Sequence, residues 1–218
     1  MPCSRCGARF SLERGLRESA LSRSAGVSAW LSLSALLAIA ALLGLRIRHE
    51  LLDWQPTLVL AQPWRIISAV AVHYGEGHLL ANLAGAGLVA ALGWAARITV
   101  NMSIAWAVAW PLTHIGLLVD PDLTHYGGLS GVLHAGVAIA AMHLMLAGDS
   151  RQRRIGAPIL LCLVIKIALE FPWSPAAFHA ELGIMVAPLA HVSGLIAGLA
   201  CGAAASLFGA GNSRRPHA

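Results

Sequence analysis

Charged residues are scarce in this chain of 218 residues, where Asp, Glu, Lys and Arg together make up 11%. Soluble domains carry about 25% charged residues, so this composition cannot cover a water-exposed surface. Hydrophobic residues make up 57% of the chain, and the mean hydropathy is +0.70. A helix that crosses a bilayer needs ~20 largely apolar residues in succession, and several such runs occur here. The composition therefore indicates an integral membrane protein.

Cysteine is also scarce, with four in the chain. Cys3 and Cys6 form a C-x-x-C pair ahead of the first apolar run, whereas Cys162 and Cys201 lie inside such runs. A zinc site needs a second pair or a C/H partner at regular spacing, and none follows. We expect ordinary thiols, with a small N-terminal metal site at Cys3 and Cys6 as the alternative. A disulfide there is not expected if the N-terminus is cytoplasmic.

The sequence lacks a basic stripe interleaved with aromatic residues, so nothing in it favours nucleic-acid binding. The formal net charge is +5. The basic residues are nearly all Arg, and they fall in short segments between the apolar runs. Positive charge placed in this way is a signal of membrane topology.

The apolar runs predict an all-α bundle of six transmembrane helices. A basic segment (residues 1–27) precedes this membrane domain (28–208), and a basic tail (209–218) follows it. A long connection after the first run mixes Trp and Tyr with charge, which suits the headgroup region. The approximate bounds of the six runs are 29–45, 78–96, 100–119, 130–147, 155–171 and 182–208.

The loops sort by charge. The N-terminal segment, the turn at Arg97, the loop 151–154 and the tail are basic, whereas the loops near Asp120 and Glu181 contain no Lys or Arg. The positive-inside rule therefore predicts that both termini are cytoplasmic, which requires an even number of spans. The exceptions are basic residues in the long first connection, Arg46, Arg48 and Arg65.

In this topology the second, fourth and sixth spans enter the membrane from the outer side. His78 and Asn82 then lie in the first turns of one helix, Ser130 at the start of another, and His191 about two turns into the third. At ~1.5 Å rise per residue, these depths agree within several ångströms. Three helices are thus predicted to bring polar groups to one level near the outer leaflet.

Ser130 is a candidate nucleophile because a neighbouring His can take the proton of its hydroxyl. Gly128 and Gly131 flank it and allow close approach of a substrate backbone and of a neighbouring helix. Amides near a helix start also suit a developing oxyanion. The alternative is an N-cap serine that satisfies the first amides of the helix.

His191 is the candidate base. Gly194, Gly198 and Gly202 follow it at offsets of three, seven and eleven residues, hence on the same helical face. A stripe of small residues lets another helix come close, as a ~3 Å hydrogen bond between Ser and His requires. An ionisable residue inside a span is a functional candidate by default. The alternative is a packing histidine bonded to a carbonyl group.

His78 and Asn82 are four residues apart, so they share one helical face. In a polar cavity both side chains could donate hydrogen bonds to the oxyanion of a tetrahedral intermediate. The alternative is an interfacial histidine and an Asn that contacts a neighbouring helix.

Four motifs occur together and in order along the chain. They are Trp64-Arg65, His-x-x-x-Asn at His78 and Asn82, Gly-x-Ser-Gly at Gly128 to Gly131, and Ala-His-x-x-Gly-x-x-x-Gly at Ala190 to Gly198. Their combination resembles the rhomboid intramembrane serine proteases over most of residues 46–202. The compact chain and the segment 128–134 (Gly-Leu-Ser-Gly-Val-Leu-His) look most like the rhombosortase branch.

The resemblance implies a Ser–His dyad, with Ser130 as nucleophile, His191 as general base and no third carboxylate. It gives the oxyanion-hole role to His78, Asn82 and the Ser130 amide. It implies no metal and no organic cofactor. Trp64 and Arg65 look like the structural loop pair of the family, placed at the membrane interface.

The branch implies a multi-pass protease of the bacterial inner (cytoplasmic) membrane whose active site opens to the periplasmic side. Its expected partners are the lipid bilayer and membrane proteins with a C-terminal tail made of a GlyGly motif, an apolar helix and a basic end. The alternatives are a general rhomboid protease with other membrane substrates, an inactive rhomboid-like membrane chaperone, and a small transporter or channel. The chaperone is disfavoured by the intact Ser130 and His191, and transport by the clustering of the polar residues at one depth.

The remaining polar residues receive structural interpretations. His134, one turn after Ser130, could contact the site or simply pack, and we expect packing. Glu170 is expected to snorkel at a helix end rather than to act as a proton relay, and no role is assigned to Lys166, four residues before it. The other interfacial or loop histidines show no metal-binding spacing: His73, His114, His125, His143 and His179.

Overall fold

The computed structural model describes residues 4–171, 177–179 and 184–212, with side chains described for 23–171 and 187–208. Within these ranges the chain is almost entirely helical. The helices are α1 (Ser4–Gly44), α2 (His49–Leu52), α3 (Arg65–Ser68), α4 (Glu76–Ala95), α5 (Val100–Ile115), α6 (Ser130–Ala147), α7 (Ser150–Leu169) and α8 (Pro188–Asn212). Short 3₁₀ turns occur at Pro56–Leu58, Ala69–Ala71 and Gly116–Val119. Two antiparallel strands, β1 (Ala177–His179) and β2 (Ile184–Val186), pair with Ala177 opposite Val186.

The predicted all-α membrane bundle is confirmed. Five helical segments of the described chain are long and apolar enough to cross a membrane: Arg23–Gly44, Glu76–Ala95, Val100–Val119, Ser130–Ala147 and Pro188–Phe208. The sixth long helix, α7, has 20 residues, about the length that a span needs. It carries Arg151, Arg153, Arg154 and Lys166, so its composition alone does not identify it as a span. Its crossing of the membrane stays a prediction.

The predicted start of the sixth run is wrong. Residues 184–186 form strand β2, and α8 begins at Pro188. Proline favours the first helical position, because its missing N–H would have no intrahelical partner there. His191 therefore lies in the first turn of α8, not two turns into it. Cys3, the loop at Glu181 and residues 213–218 lie outside the described residues, as does the side chain of Cys6.

Two buried tryptophans join α1 and α5 to the centre of the bundle. The rings of Trp30 and Trp106 pack with centroids 4.3 Å apart. The indole N–H of Trp30 donates to the carbonyl of Val89 on α4 at 2.9 Å, and that of Trp106 to Val132 on α6 at 2.8 Å. A polar hydrogen inside a bilayer needs such a partner, since no water is available there.

Helices α6 and α8 approach each other closely along the predicted glycine stripe. A Cβ atom at Gly198 would lie 2.6 Å from the carbonyl oxygen of Ala135, and one at Gly194 would overlap the carbonyl of Gly131. Without a hydrophobic driving force between helices in lipid, such close packing is a main source of helix association. The small residues thus fix the distance between the helix that carries Ser130 and the helix that carries His191.

Candidate active site

Ser130 and His191 meet at the start of their two helices. The Ser130 Oγ atom lies 2.9 Å from His191 Nε2, and the imidazole is buried. The N-cap position of α6 belongs to Leu129, which makes no side-chain capping bond. Ser130 is therefore the first helical residue, and the alternative interpretation of it as an N-cap is wrong. Its hydroxyl is free to bond to an imidazole instead of to the helix backbone.

His78 and Asn82 line the same cavity as Ser130 and His191, which has a volume of about 320 Å³. Residues of α4, α6 and α7 form its walls together with His191. His78 Nδ1 and Asn82 Nδ2 are buried without a hydrogen-bond partner. A buried polar atom normally has a partner, so these two atoms remain available to pair with a hydrogen-bonding group of a ligand. The four predicted site residues are thus brought together.

Gly128 allows the loop before α6 to reach this cavity. Its φ angle is +149°, and a Cβ atom there would lie 3.0 Å from the Cε1 atom of His78. A side chain would be strained in this backbone conformation and crowded against the imidazole. The backbone N–H of Gly128 donates to the carbonyl of Ala69 at 3.0 Å, and its carbonyl accepts from the Tyr126 hydroxyl at 3.2 Å. Gly128 therefore fixes the path of the loop that leads to Ser130.

Arg65 organises the long loop that leads to α4. Its guanidinium donates to the Asp53 carboxylate at 2.9 Å and to the Asp53 carbonyl at 2.7 Å, and it also donates to the Glu50 carbonyl and the Gln62 side chain. Both side chains of the Arg65–Asp53 pair are almost fully buried. Trp64 is half exposed. The contacts of Arg65 support the structural role that was predicted for Trp64 and Arg65.

The Arg65 loop is joined to the Ser130 loop by backbone hydrogen bonds. Trp54 and Tyr126 exchange two N–H···O bonds, of 2.7 and 3.0 Å. Asp53, adjacent to Trp54, also bonds His125 Nδ1 at 2.7 Å. The placement of the residues just before Ser130 therefore depends on the buried ion pair.

Three further residues contact the Ser–His pair. The His134 ring stacks on His191, with centroids 4.1 Å apart and planes 13° from parallel. The carboxylate of Glu170 lies 2.6 Å from His191 Nδ1 and 2.8 Å from the Lys166 ammonium. The expectations that no carboxylate would join the pair, that Glu170 would snorkel and that His134 would simply pack are wrong. The i, i+4 spacing of Lys166 and Glu170 was the sequence signal, but it does not show which helix they face.

His73, in the loop before α4, is also buried, and its ring centroid lies 5.0 Å from that of His78. Burial, followed by the proximity of His78, lowers the pKa of His73 from 6.5 to about 4. His73 is therefore neutral at pH 7.

No metal site is evident in the part of the chain that the structure describes, where no group of three or more His, Cys, Asp or Glu residues is arranged to hold an ion. The alternative of a metal site at Cys3 and Cys6 concerns residues outside the described side chains.

Most of the chain is similar in sequence to known proteins. The Rhomboid domain family model matches residues 60–208. Rhomboid protease GlpG of Yersinia pestis (strain Pestoides F) is 29% identical over 144 residues, which cover 63% of this chain and 46% of that protein. Rhomboid protease GlpG of Yersinia pseudotuberculosis serotype O:3 (strain YPIII) matches with the same figures. The chain spans about half the length of the curated relatives it matches.

Proposed function

The chain belongs to the rhomboid family, and we propose from this premise that it is an intramembrane serine endopeptidase. The observation that carries the proposal is the 2.9 Å separation of Ser130 Oγ and His191 Nε2. Nucleophile and base within hydrogen-bond reach are the signature of an activated serine. The names of the curated relatives, Rhomboid protease GlpG, agree with it.

In the proposed reaction Ser130 Oγ attacks the carbonyl carbon of a substrate peptide, while His191 Nε2 takes the hydroxyl proton. The oxyanion that forms accepts hydrogen bonds from the Asn82 amide, the His78 ring and the Ser130 backbone N–H. This N–H is unused by the helix because Ser130 is its first residue. His191 then protonates the leaving amine, and an acyl-enzyme remains. A water molecule deprotonated by His191 releases the acyl group.

The substrate is proposed to enter from the lipid between α4 and α7, which both line the cavity. Leu88 of α4 lines the cavity and is largely exposed, as expected where a cavity opens sideways to a bilayer. Lys166 of α7 is also half exposed and lines the same opening. A transmembrane segment that unwinds near its end would expose a peptide carbonyl to Ser130.

The proposed substrates are membrane proteins with a C-terminal transmembrane segment, in particular tails with a GlyGly motif, an apolar helix and a basic end. The resemblance of residues 128–134 to the rhombosortase branch supports this narrower class. The proposed location is the bacterial inner membrane, with both termini cytoplasmic and the site open to the periplasm. The distribution of Arg between the loops supports this orientation.

A fluorophosphonate probe tests the chemistry, because it reacts covalently with an activated serine. The purified protein in detergent should be labelled, and Ser130→Ala should abolish labelling. His191→Ala should slow it by ~10²–10⁴-fold, the usual contribution of a general base. Ser206→Ala is the matched control, since Ser206 bonds only its own helix at the Gly202 carbonyl and should not change the rate. Equal labelling of wild type and Ser130→Ala refutes the proposal.

Co-expression with tailed reporter proteins tests the substrate class. One reporter carries the GlyGly tail, a second has Leu-Leu in place of the glycines, and a third has an unrelated C-terminal span. Cleavage of the first alone, lost in Ser130→Ala, supports the rhombosortase-type function. Cleavage of all three supports a general rhomboid protease. Binding without cleavage in cells whose enzyme is labelled by the probe excludes both forms of the substrate proposal.

A further inference from the structure

The end of α7 brings two charged side chains to the base. Glu170, the residue that follows α7, places one carboxylate oxygen 2.6 Å from His191 Nδ1 and the other 2.8 Å from Lys166 Nζ. Lys166 Nζ lies 2.7 Å from His134 Nε2. His134 Nδ1 in turn lies 2.6 Å from the Ser130 carbonyl oxygen. These contacts join the four side chains and Ser130 in one ring.

The chemistry of the ring members determines where each proton lies. A carboxylate only accepts and an ammonium only donates hydrogen bonds. His191 Nδ1 must therefore carry a hydrogen, because two acceptors do not approach to 2.6 Å. By the same reasoning His134 Nδ1–H donates to the Ser130 carbonyl, and His134 Nε2 accepts from Lys166. Every donor in the ring then faces an acceptor.

This proton arrangement has one consequence for Ser130. With hydrogen on Nδ1, a neutral His191 keeps its lone pair on Nε2, the atom that lies 2.9 Å from Ser130 Oγ. We propose that Glu170 is a positioning residue that completes a Ser130–His191–Glu170 triad, and that Lys166 holds the Glu170 carboxylate in place. The inference rests on the proposed protease function and departs from the two-residue dyad that the family resemblance implies.

The role of the carboxylate in the reaction follows from its position. When the hydroxyl proton moves from Ser130 Oγ to His191 Nε2, the ring becomes an imidazolium, and the Nδ1 proton stays on His191. The adjacent Glu170 carboxylate balances the new positive charge, as the Asp of a Ser-His-Asp triad does. Lys166 lies 3.3 Å from the same Nδ1, so without Glu170 an uncompensated ammonium would face the imidazolium.

The substitution Glu170→Gln should reverse the tautomer. Lys166 can only donate, so it will attract the amide oxygen of Gln and leave the amide NH₂ facing His191 Nδ1. His191 must then accept at Nδ1 and carry its hydrogen on Nε2, with no lone pair for Ser130. In trypsin-like enzymes the corresponding change costs ~10⁴-fold. Because Glu170 is partly exposed, we expect fluorophosphonate labelling to slow by ~10²-fold.

Two further variants separate this role from a structural one. In the double variant Glu170→Gln, Lys166→Met, the amide can rotate so that its oxygen faces Nδ1, and labelling should recover by ~10-fold or more over Glu170→Gln. Glu170→Asp keeps a carboxylate and should label at an intermediate rate. Glu50→Gln is the matched control, since its exposed side chain pairs only with the exposed Arg48, and its rate should equal that of the wild type.

Nitrogen-15 NMR of histidine-labelled protein provides a readout that does not depend on turnover. The His191 signal, assigned by its loss in His191→Gln, should show a protonated Nδ1 in the wild type and a protonated Nε2 in Glu170→Gln. A wild-type labelling rate and a protonated Nδ1 in Glu170→Gln overturn the triad alone, and so do equal rates in the single and double variants. Absence of Ser130 labelling in the wild type instead refutes the protease function, and the triad with it.

Discussion

Replacement of Gly198 by Ala should slow the reaction of Ser130, although Gly198 lies about two turns along α8 from His191. A Cβ atom at this position would lie 2.6 Å from the Ala135 carbonyl oxygen and 2.8 Å from the Ala135 Cα atom, both of them backbone atoms of α6. No side chain can rotate to relieve this overlap. Helices α6 and α8 must therefore separate.

The size of the separation follows from ordinary contact distances. A Cβ atom meets its neighbours at 3.4–4 Å, so α8 must move by about 0.8 Å to restore the shortest normal contact. If His191 moves with its helix, the Ser130 Oγ to His191 Nε2 distance rises from 2.9 Å to about 3.7 Å, beyond hydrogen-bond range. A misplacement of ~1 Å costs ~10²-fold in rate, so we expect the labelling rate to fall by roughly 10- to 100-fold.

The assay is the second-order rate of fluorophosphonate labelling, measured beside thermal unfolding in the same detergent. The matched control is Gly87→Ala on α4, where a Cβ atom would meet nothing within 4 Å. The overlap at Gly194 is more severe than at Gly198, so Gly194→Ala should lose more activity. If Gly198→Ala is labelled as fast as Gly87→Ala, the α6–α8 spacing does not control the Ser–His contact.

Two further predictions concern the loops outside the spans. Arg65→Met leaves the buried Asp53 carboxylate without its cation, so the free energy of unfolding in SDS titrations should fall by about 3–5 kcal/mol; Arg48→Met, in an exposed pair, should cost under about 1 kcal/mol. Similar losses in the two variants would contradict the role of Arg65 in the loop. The lowered pKa of His73 means that the unfolded chain binds a proton there between pH 6.5 and about 4 while the folded protein does not. Folding stability should therefore fall as the pH drops through this range, by up to about 3 kcal/mol from His73, and His73→Gln should flatten the pH dependence. Parallel pH profiles for the wild type and His73→Gln would count against this assignment.

The parts of the site that could be predicted are those that depend on residues close to one another in the sequence. The fourth apolar run, predicted at 130–147, coincides with α6, because a polar loop (120–129) ends just before Ser130 and the charged residues Asp149 and Arg151 follow the run. The glycine offsets from His191 predicted a face of close contact, and that face packs against α6. The spacing of residues along one helix shows which of them share a face, and this requires no knowledge of any other helix.

The contacts of α7 could not be predicted in this way. Lys166 and Glu170 share a face of one helix, but the direction of that face depends on how α7 rotates against α6. The same limit applies to Arg65, whose partner Asp53 is one of several acidic residues in the chain. The start of α8 was misplaced because residues 184–186 are as apolar as the helix that follows, and hydropathy does not separate a short strand from a helix.

The distance and the orientation of the base are set by different interactions. Lipid gives helices no hydrophobic reason to associate, so the approach of His191 to Ser130 depends on backbone packing at Gly194 and Gly198. Packing of this kind fixes where the imidazole lies but not which of its nitrogens carries the hydrogen. In the proposed triad, Glu170 determines which nitrogen of His191 carries the hydrogen, and Glu170 contacts neither glycine. Gly198→Ala and Glu170→Gln are therefore expected to impair the same hydroxyl for separate reasons, and only Glu170→Gln should change the tautomer of His191.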